Sequence, residues 1–395
     1  MNIKPFAAIR PNVKDAALVA SVPYDVVDTE EARTLASGNS KSFLHVSRPE
    51  IDLPEGTDCS SPEAYAQARK ALDALIADGT LVEDGESVFY VYRQVMGSHS
   101  QTGIVATFDT KDYLSGVLKQ HEKTRRDKED DRTRHIETLA AHTGPAFLTY
   151  RDEAEIDRIV ADACSAQPLY DFVAPDGIAH TVWKLPATCN RRIEELFSRV
   201  PVAYIADGHH RSAAASRYAR EHNFDGESRW FLAVIFPASQ LRILPYNRLV
   251  ADLNGLSDEE FIERVTERFA FGKKGSRNCR MYFRGRWTDL SWSIPDGADA
   301  VSALDVSYLQ DNLLAPVLGI GDPRTDVRIS FMGGVKGDDE LAAKVDSGEY
   351  SVAFAMEPVS VQEMMAIADA GATMPPKSTW FEPKLRSGLF VHAVT

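Results

Sequence analysis

The sequence predicts an α/β fold with mixed sheets (α+β), and three observations carry that expectation. Short apolar or alternating runs of strand length interleave with capped amphipathic stretches along the whole chain. Residues 200–206, 207–208, 211–221 and 230–236 read in turn as buried strand, tight turn, alanine-rich helix and second buried strand, a βαβ-like unit. Finally, 395 residues with 44% apolar and 26% charged composition are enough for a large core, and argue against wholesale disorder.

The elements follow in order. Pro23 restricts the residues before it to extended geometry and turns the chain at Tyr24-Asp25. Asp28 caps a helix whose first turn is acidic. Ser61-Pro62-Glu63 starts a second, with Tyr65, Ala68, Leu72, Leu75 and Ile76 at helical spacing and Asp78-Gly79 as its stop. Residues 88–95 and 102–108 form a hairpin about Gly97. Residues 119–132 contain no large apolar side chain, so a helix there buries no apolar stripe of its own, and 127–132 read as a solvated charged segment. Beyond 250 come a helix capped by Ser257, a hairpin about Gly285, a helix over 305–318 ended by Gly319, a strand at 350–357 and a helix at 361–369. Two regions are expected: 1–250, an N-terminal and central α/β region holding the 207–211 turn, and 251–395, a C-terminal α/β region whose tail packs back toward the site.

A net charge of -14 argues against general affinity for nucleic acid or anionic lipid, both of which need a positive surface. Any anion site must therefore be a local pocket of donors. No stretch approaches the roughly 20 apolar residues that span a bilayer, and the first residues lack a signal-peptide core. Cys59, Cys164, Cys189 and Cys279 are scattered, which suits reduced structural thiols and a cytoplasmic protein.

The chemistry concentrates at Ala206-Asp207-Gly208-His209-His210-Arg211. A turn from a buried strand into a helix aims unpaired amides and the positive dipole end outward. Gly208 permits close backbone approach. Arg211 offers a planar fork of donors, and His209 and His210 can donate or accept protons. Asp207 caps the helix or helps hold a metal. A capped helix with surface histidines and a salt-bridged arginine is the structural alternative, and zinc is disfavoured because adjacent histidines lack the HExxH geometry.

The run from Ile205 to Arg211 resembles the hallmark of the bacterial family catalogued as domain of unknown function 1015. Lys4-Pro5-Phe6 with Arg10-Pro11, Val22-Pro23-Tyr24-Asp25-Val26, His121-Glu122-Lys123-Thr124 and Met374-Pro375-Pro376-Lys377-Ser378-Thr379 match in order. The heptapeptide is also similar to the phosphate-binding turn of the ParB/sulfiredoxin superfamily, which includes free-serine kinases. The resemblance implies a ParB/sulfiredoxin-like phosphate-binding core with added α/β elements, a nucleotide site for ATP, accompanying Mg2+, and a small hydroxylated acceptor such as free L-serine. In that reading Asp207, Gly208, His209, His210, Arg211, His121 and Thr124 hold phosphates, with Lys377, Ser378 and Thr379 reaching the nucleotide. Glu122 or Asp25 takes the acceptor's proton, with His209 as a further acid/base candidate, and Arg48 or Arg248 grips a substrate carboxylate. A nucleotide-controlled ParB-like binding protein, a metal-dependent phosphohydrolase using the same groups, and a purely structural protein are the competing readings.

Overall fold

A computed structural model describes residues 1–272, 275–294 and 296–395. The chain divides into two compact units. The first is Met1–Leu241 together with Pro383–Thr395, and the second is Arg242–Glu382. The division thus falls at 241 where the sequence suggested 250, and the last residues of the chain return to the first unit.

The first unit is built on a mixed sheet, nine-stranded among the described residues. Its strands are β1 (Ile3–Lys4), β2 (Tyr90–Met96), β3 (His99–Asp109), β4 (Leu118–Lys119), β5 (Ala146–Tyr150), β6 (Tyr170–Val173), β7 (Ala179–Lys184), β8 (Ala203–Asp207) and β9 (Trp230–Pro237). They run in the order β4-β8-β5-β9-β3-β2-β7-β6, with β1 also on β3. The β2–β3 hairpin turns at Gly97 as the alternation predicts. Val91, Ile104, Phe108, Leu148, Ile205, Phe231 and Ile235 fill one continuous core, each side chain of this kind contributing about 1.5–3 kcal/mol on burial.

The strand–helix–strand unit needs correction. Strand β8 is antiparallel to β5, and β5 is parallel to β9, so β8 and β9 are not parallel neighbours and no βαβ crossover forms. Periodicity identifies each element, but the partner of β8 is the fully buried Ala146–Tyr150, which inserts between the two predicted neighbours. The fold remains mixed α/β.

Four helices of this unit matter for the site. Helix α1 (Thr29–Ala36) carries a capping box: Glu31 N–H donates to Asp28 Oδ1 at 2.8 Å, and Asp28 N–H donates to Glu31 Oε2 at 2.9 Å. Helix α2 (Pro62–Ala77) is capped by Ser61 and buries Tyr65, Ala68, Leu72 and Leu75. Helix α3 (Arg126–Leu139) grows out of the charged run and packs against α2 and against α4 (His209–Glu221). The expectation of a solvated 127–132 holds at Asp127 and Lys128, which are exposed, and fails at Asp131 and Arg132. Asp131 and Arg132 are largely buried, because the Tyr65 hydroxyl and the Arg132 guanidinium both bond the Asp131 carboxylate and satisfy its charge.

The second unit holds an antiparallel sheet of β10 (Tyr246–Val250), β11 (Ala270–Phe271), β12 (Arg277–Phe283), β13 (Arg286–Trp292), β14 (Ile329–Gly333) and β15 (Val352–Met356), in the order β11-β13-β12-β15-β10-β14. Capping boxes start α5 (Asp258–Thr266) at Ser257 and α6 (Val361–Asp369) at Ser360. The helix predicted over 305–318 is α-helical only at Asp305–Leu309 and passes into a π-helical turn at Gln310–Leu314. All four cysteines are free thiols. Among the described residues no helix is long and apolar enough to cross a membrane.

Candidate active site

Strand β8 ends on Asp207, and α4 begins at His209, two residues earlier than its composition predicts. Gly208 alone joins them, at φ +88°. A Cβ at Gly208 would lie 3.0 Å from Arg211 Nε and 3.3 Å from the Ala146 backbone, so the turn needs glycine both for its conformation and for its space. The early helix start places His209, His210 and Arg211 all in the first turn, where helical amides have no intrahelical acceptor.

Cations converge on this corner. Asp207 Oδ2 lies 3.4 Å from Arg211 Nη2 and 3.5 Å from Lys384 Nζ. Burial opposes ionisation of Asp207, but the Lys384 and Arg211 cations, with a hydrogen bond from the Gly208 backbone, outweigh it and hold the carboxyl well below its usual range. Arg211 Nη1 donates to the Pro145 carbonyl, Nη2 faces Asp25 Oδ2 at 3.7 Å, and the buried Nε has no hydrogen-bond partner.

The two histidines of the turn behave differently. His209 is buried, its ring meets that of His121 edge to face at 4.5 Å, and its Nε2 lacks a partner. Burial, reinforced by His121, pushes His209 far down; burial likewise pushes His121 down to about 4. Both are therefore neutral near pH 7. His210 reaches outward, and its Nε2 accepts the Arg125 amide at 3.0 Å, which assigns the ring proton to Nδ1. Glu122 Oε2 stands 3.7 Å from His209 Nδ1, with its side chain 44% exposed. Asp25 is 36% exposed. Each carboxylate thus keeps a face open to a ligand.

The structure brings Asp25, His121, Glu122, Asp207, Gly208, His209, His210 and Arg211 together. Thr124 turns instead to Glu129, bonding its carboxylate at the entry to α3. Arg48 lies in the same unit but is held by Glu50 at 2.9 Å and the Thr29 hydroxyl at 3.1 Å. Arg248, Lys377, Ser378 and Thr379 belong to the second unit. There Arg248 is buried and donates to the Lys377 carbonyl at 3.1 Å, Lys377 Nζ meets the Tyr246 hydroxyl at 3.2 Å, and the Ser378 hydroxyl donates to the Pro375 carbonyl at 2.6 Å. Burial lowers Arg248 to about 10. Sequence reasoning missed Lys384. No spacing relates it to Asp207, and only the return of Pro383–Thr395 brings the two side by side.

Among the described residues no group of three or more His, Cys, Asp or Glu side chains is placed to hold a metal ion. The donor set that does exist is one or two half-exposed carboxylates beside an anion-attracting turn. Such a set fits a magnesium ion arriving on phosphate oxygens, since this ion takes few protein ligands.

A family model described as "Protein of unknown function (DUF1015)" matches residues 3–307, and the chain belongs to that family. No curated protein matches. Among solved structures, SbnI from Staphylococcus aureus with a C-terminal truncation is similar at TM-score 0.39 and 13% identity, covering 73% of this chain and 87% of that one. A free serine kinase in complex with AMP is similar at TM-score 0.37 and 12% identity, covering 72% and 92%. A conserved hypothetical protein from Pyrococcus furiosus is similar at TM-score 0.35 and 13% identity, covering 73% and 95%.

Proposed function

We propose that the chain is a small-molecule phosphotransferase that uses ATP to phosphorylate free L-serine to O-phosphoserine. One observation carries the reading: a helix N-terminus ringed by Arg211 and Lys384 has two half-exposed carboxylates, Glu122 and Asp25, within reach of its first turn. The amides of residues 208–211 and the Arg211 guanidinium hold nucleotide phosphates. The serine hydroxyl oxygen attacks the γ-phosphorus, and the new O–P bond forms as the bond to the departing ADP oxygen breaks. Glu122 or Asp25 receives the hydroxyl proton. His209, neutral and fixed against His121, orients Glu122 without adding charge. Magnesium carried by the nucleotide would neutralise phosphate charge, with Glu122 or Asp25 as its protein ligand. Positioning and charge stabilisation supply most of the acceleration.

Incubation of the purified chain with ATP, magnesium and L-serine is expected to give O-phosphoserine, read by mass spectrometry. No product across a panel of nucleotides, divalent metals and hydroxylated acceptors would overturn the proposal. A phosphohydrolase is the second reading, because the same exposed carboxylates could activate water; phosphate release without any acceptor distinguishes it. A DNA-binding role is opposed by the net charge of -14.

A further inference from the structure

In the sheet of the first unit, β2 and β3 place Gln94 directly opposite Gln101. Both residues are fully buried, at 0% exposure. An apolar pair would serve such a hairpin with no desolvation cost, so two amides persist there only where partners satisfy them. Gln101 Nε2 donates to Gln94 Oε1 at 3.0 Å and to the Pro383 carbonyl at 3.3 Å. Gln94 Nε2 donates to the Lys384 carbonyl at 2.8 Å. The pair thus grips two consecutive carbonyls of the returning tail.

That grip is not what attaches the tail. Just beyond it, Arg386 Nε donates to His180 Nε2 at 3.1 Å, and the Arg386 guanidinium also bonds Asp176. Ser387 and Ser21 exchange backbone hydrogen bonds at 2.9 and 3.1 Å. These bonds hold residues 386–387 without the glutamines. What the glutamines add is confined to residues 383–384, and Lys384 carries the ammonium 3.5 Å from Asp207 Oδ2. Of the cations that overcome burial at the Asp207 carboxyl, Lys384 acts most strongly. Strand β8, which ends on Asp207, is separated from β2 by β5, β9 and β3. Lys384 therefore reaches the anion corner from across the sheet, on a flexible four-carbon stem. Such a stem delivers its charge to one place only if the backbone beneath it is fixed.

We propose that Gln94 and Gln101 are positioning residues, which lock the backbone of residues 383–384 so that the Lys384 ammonium stands at the phosphate-holding turn. The proposal rests on the phosphotransferase reading, in which that turn holds nucleotide phosphates. The glutamines touch no ligand and act through Lys384.

Gln94→Met keeps the length of the side chain and removes its donor, and two measurements on the full chain test the assignment. The first is labelling of lysine amines by acetic anhydride, read by mass spectrometry. The Lys384 side chain is 13% exposed, and it is expected to label at least about threefold faster in Gln94→Met while the other lysines keep their rates. The second is calorimetric binding of a non-hydrolysable ATP analogue with magnesium. Its dissociation constant is expected to rise about threefold at low salt in Gln94→Met, and to rise no further when Gln94→Met is added to Lys384→Met. A merely structural role predicts the same loss in both backgrounds. Should Gln94→Met not fold, Gln101→Met carries both measurements. Unchanged Lys384 labelling or unchanged nucleotide affinity in the folded variant would overturn the proposal, as would an equal loss of affinity with and without Lys384. Faster Lys384 labelling in a protein whose wild type binds no nucleotide refutes the phosphotransferase reading and leaves the placement of Lys384 standing.

Discussion

The imidazole of His121 stands edge-on to that of His209, ring centres 4.5 Å apart. One ring follows a short edge strand and the other opens a helix, and β8 lies against that strand. The contact joins the His121-Glu122 segment to the Gly208 turn and sets where Glu122 projects. Replacing His121 by Ala is therefore expected to lower kcat through Glu122 and His209 more than it weakens nucleotide binding, as steady-state kinetics on L-serine and ATP would show.

Acid should destabilise the chain early. Burial lowers His121 to about 4 and His135, His142 and His180 to about 3, and it lowers His209 and His392 as well. The unfolded chain takes up these protons below about pH 6.5, and the folded chain does not. Stability is therefore fully present above that pH and lost as pH falls toward 4 and 3, at about 1.4 kcal/mol per pH unit for each such histidine. Thermal melts at pH 7.5 and 5.5 should show Tm clearly lower at the acid value; equal values would contradict the neutral, buried histidines.

Gly208→Ala forces a side chain into positive φ and against Arg211 Nε. A loss of about 1–2 kcal/mol in chemical denaturation is expected from the backbone alone. Nucleotide affinity should fall further than that figure accounts for, because Arg211 must move to make room.

The two candidate bases separate in kinetics. Asp25 stands 3.7 Å from Arg211 with its side chain partly open, and Asp25→Asn is expected to reduce kcat by about 10²–10⁴. Glu122→Gln should act chiefly on the magnesium dependence. A reversed pattern would make Glu122 the base.

Lys384→Met removes one of the cations beside Asp207. Nucleotide binding is expected to weaken about fivefold at low salt, with the difference shrinking as salt rises. Titration of the fluorescence or heat signal at two ionic strengths checks this.

Arg48 serves structure. Its partner Glu50 has a side chain only 1% exposed, so Arg48→Ala leaves a buried carboxylate uncompensated and should cost about 3–5 kcal/mol in stability. KM for L-serine in whatever fraction folds should stay at the wild-type value.

Much of this was legible in the residue order. Capping residues Asp28, Ser61, Ser257 and Ser360 fixed helix starts through local hydrogen bonds, and glycine at 97, 208 and 285 fixed turns through backbone conformation. The anion corner followed from the same local rules, since a strand, a glycine and a helix start suffice to expose amides. Local rules failed wherever the partner lay far along the chain. Nothing near residues 200–236 announces that Ala146–Tyr150 lies between the two strands there. Nothing in the charged run announces that Tyr65 would bury Asp131, or that Lys384 would return to Asp207.

The sequence by itself thus determined the elements, their caps and the chemistry of the 207–211 turn, because those depend on neighbours within a few residues. Only the tertiary structure decided which carboxylates stand at that turn, and that Tyr24, Ser47, Arg132 and His142 enclose a cavity beside it. The reason is physical: long-range pairing is set by the packing of whole buried faces and by the need to satisfy buried charge, and neither is written into the spacing of any one segment.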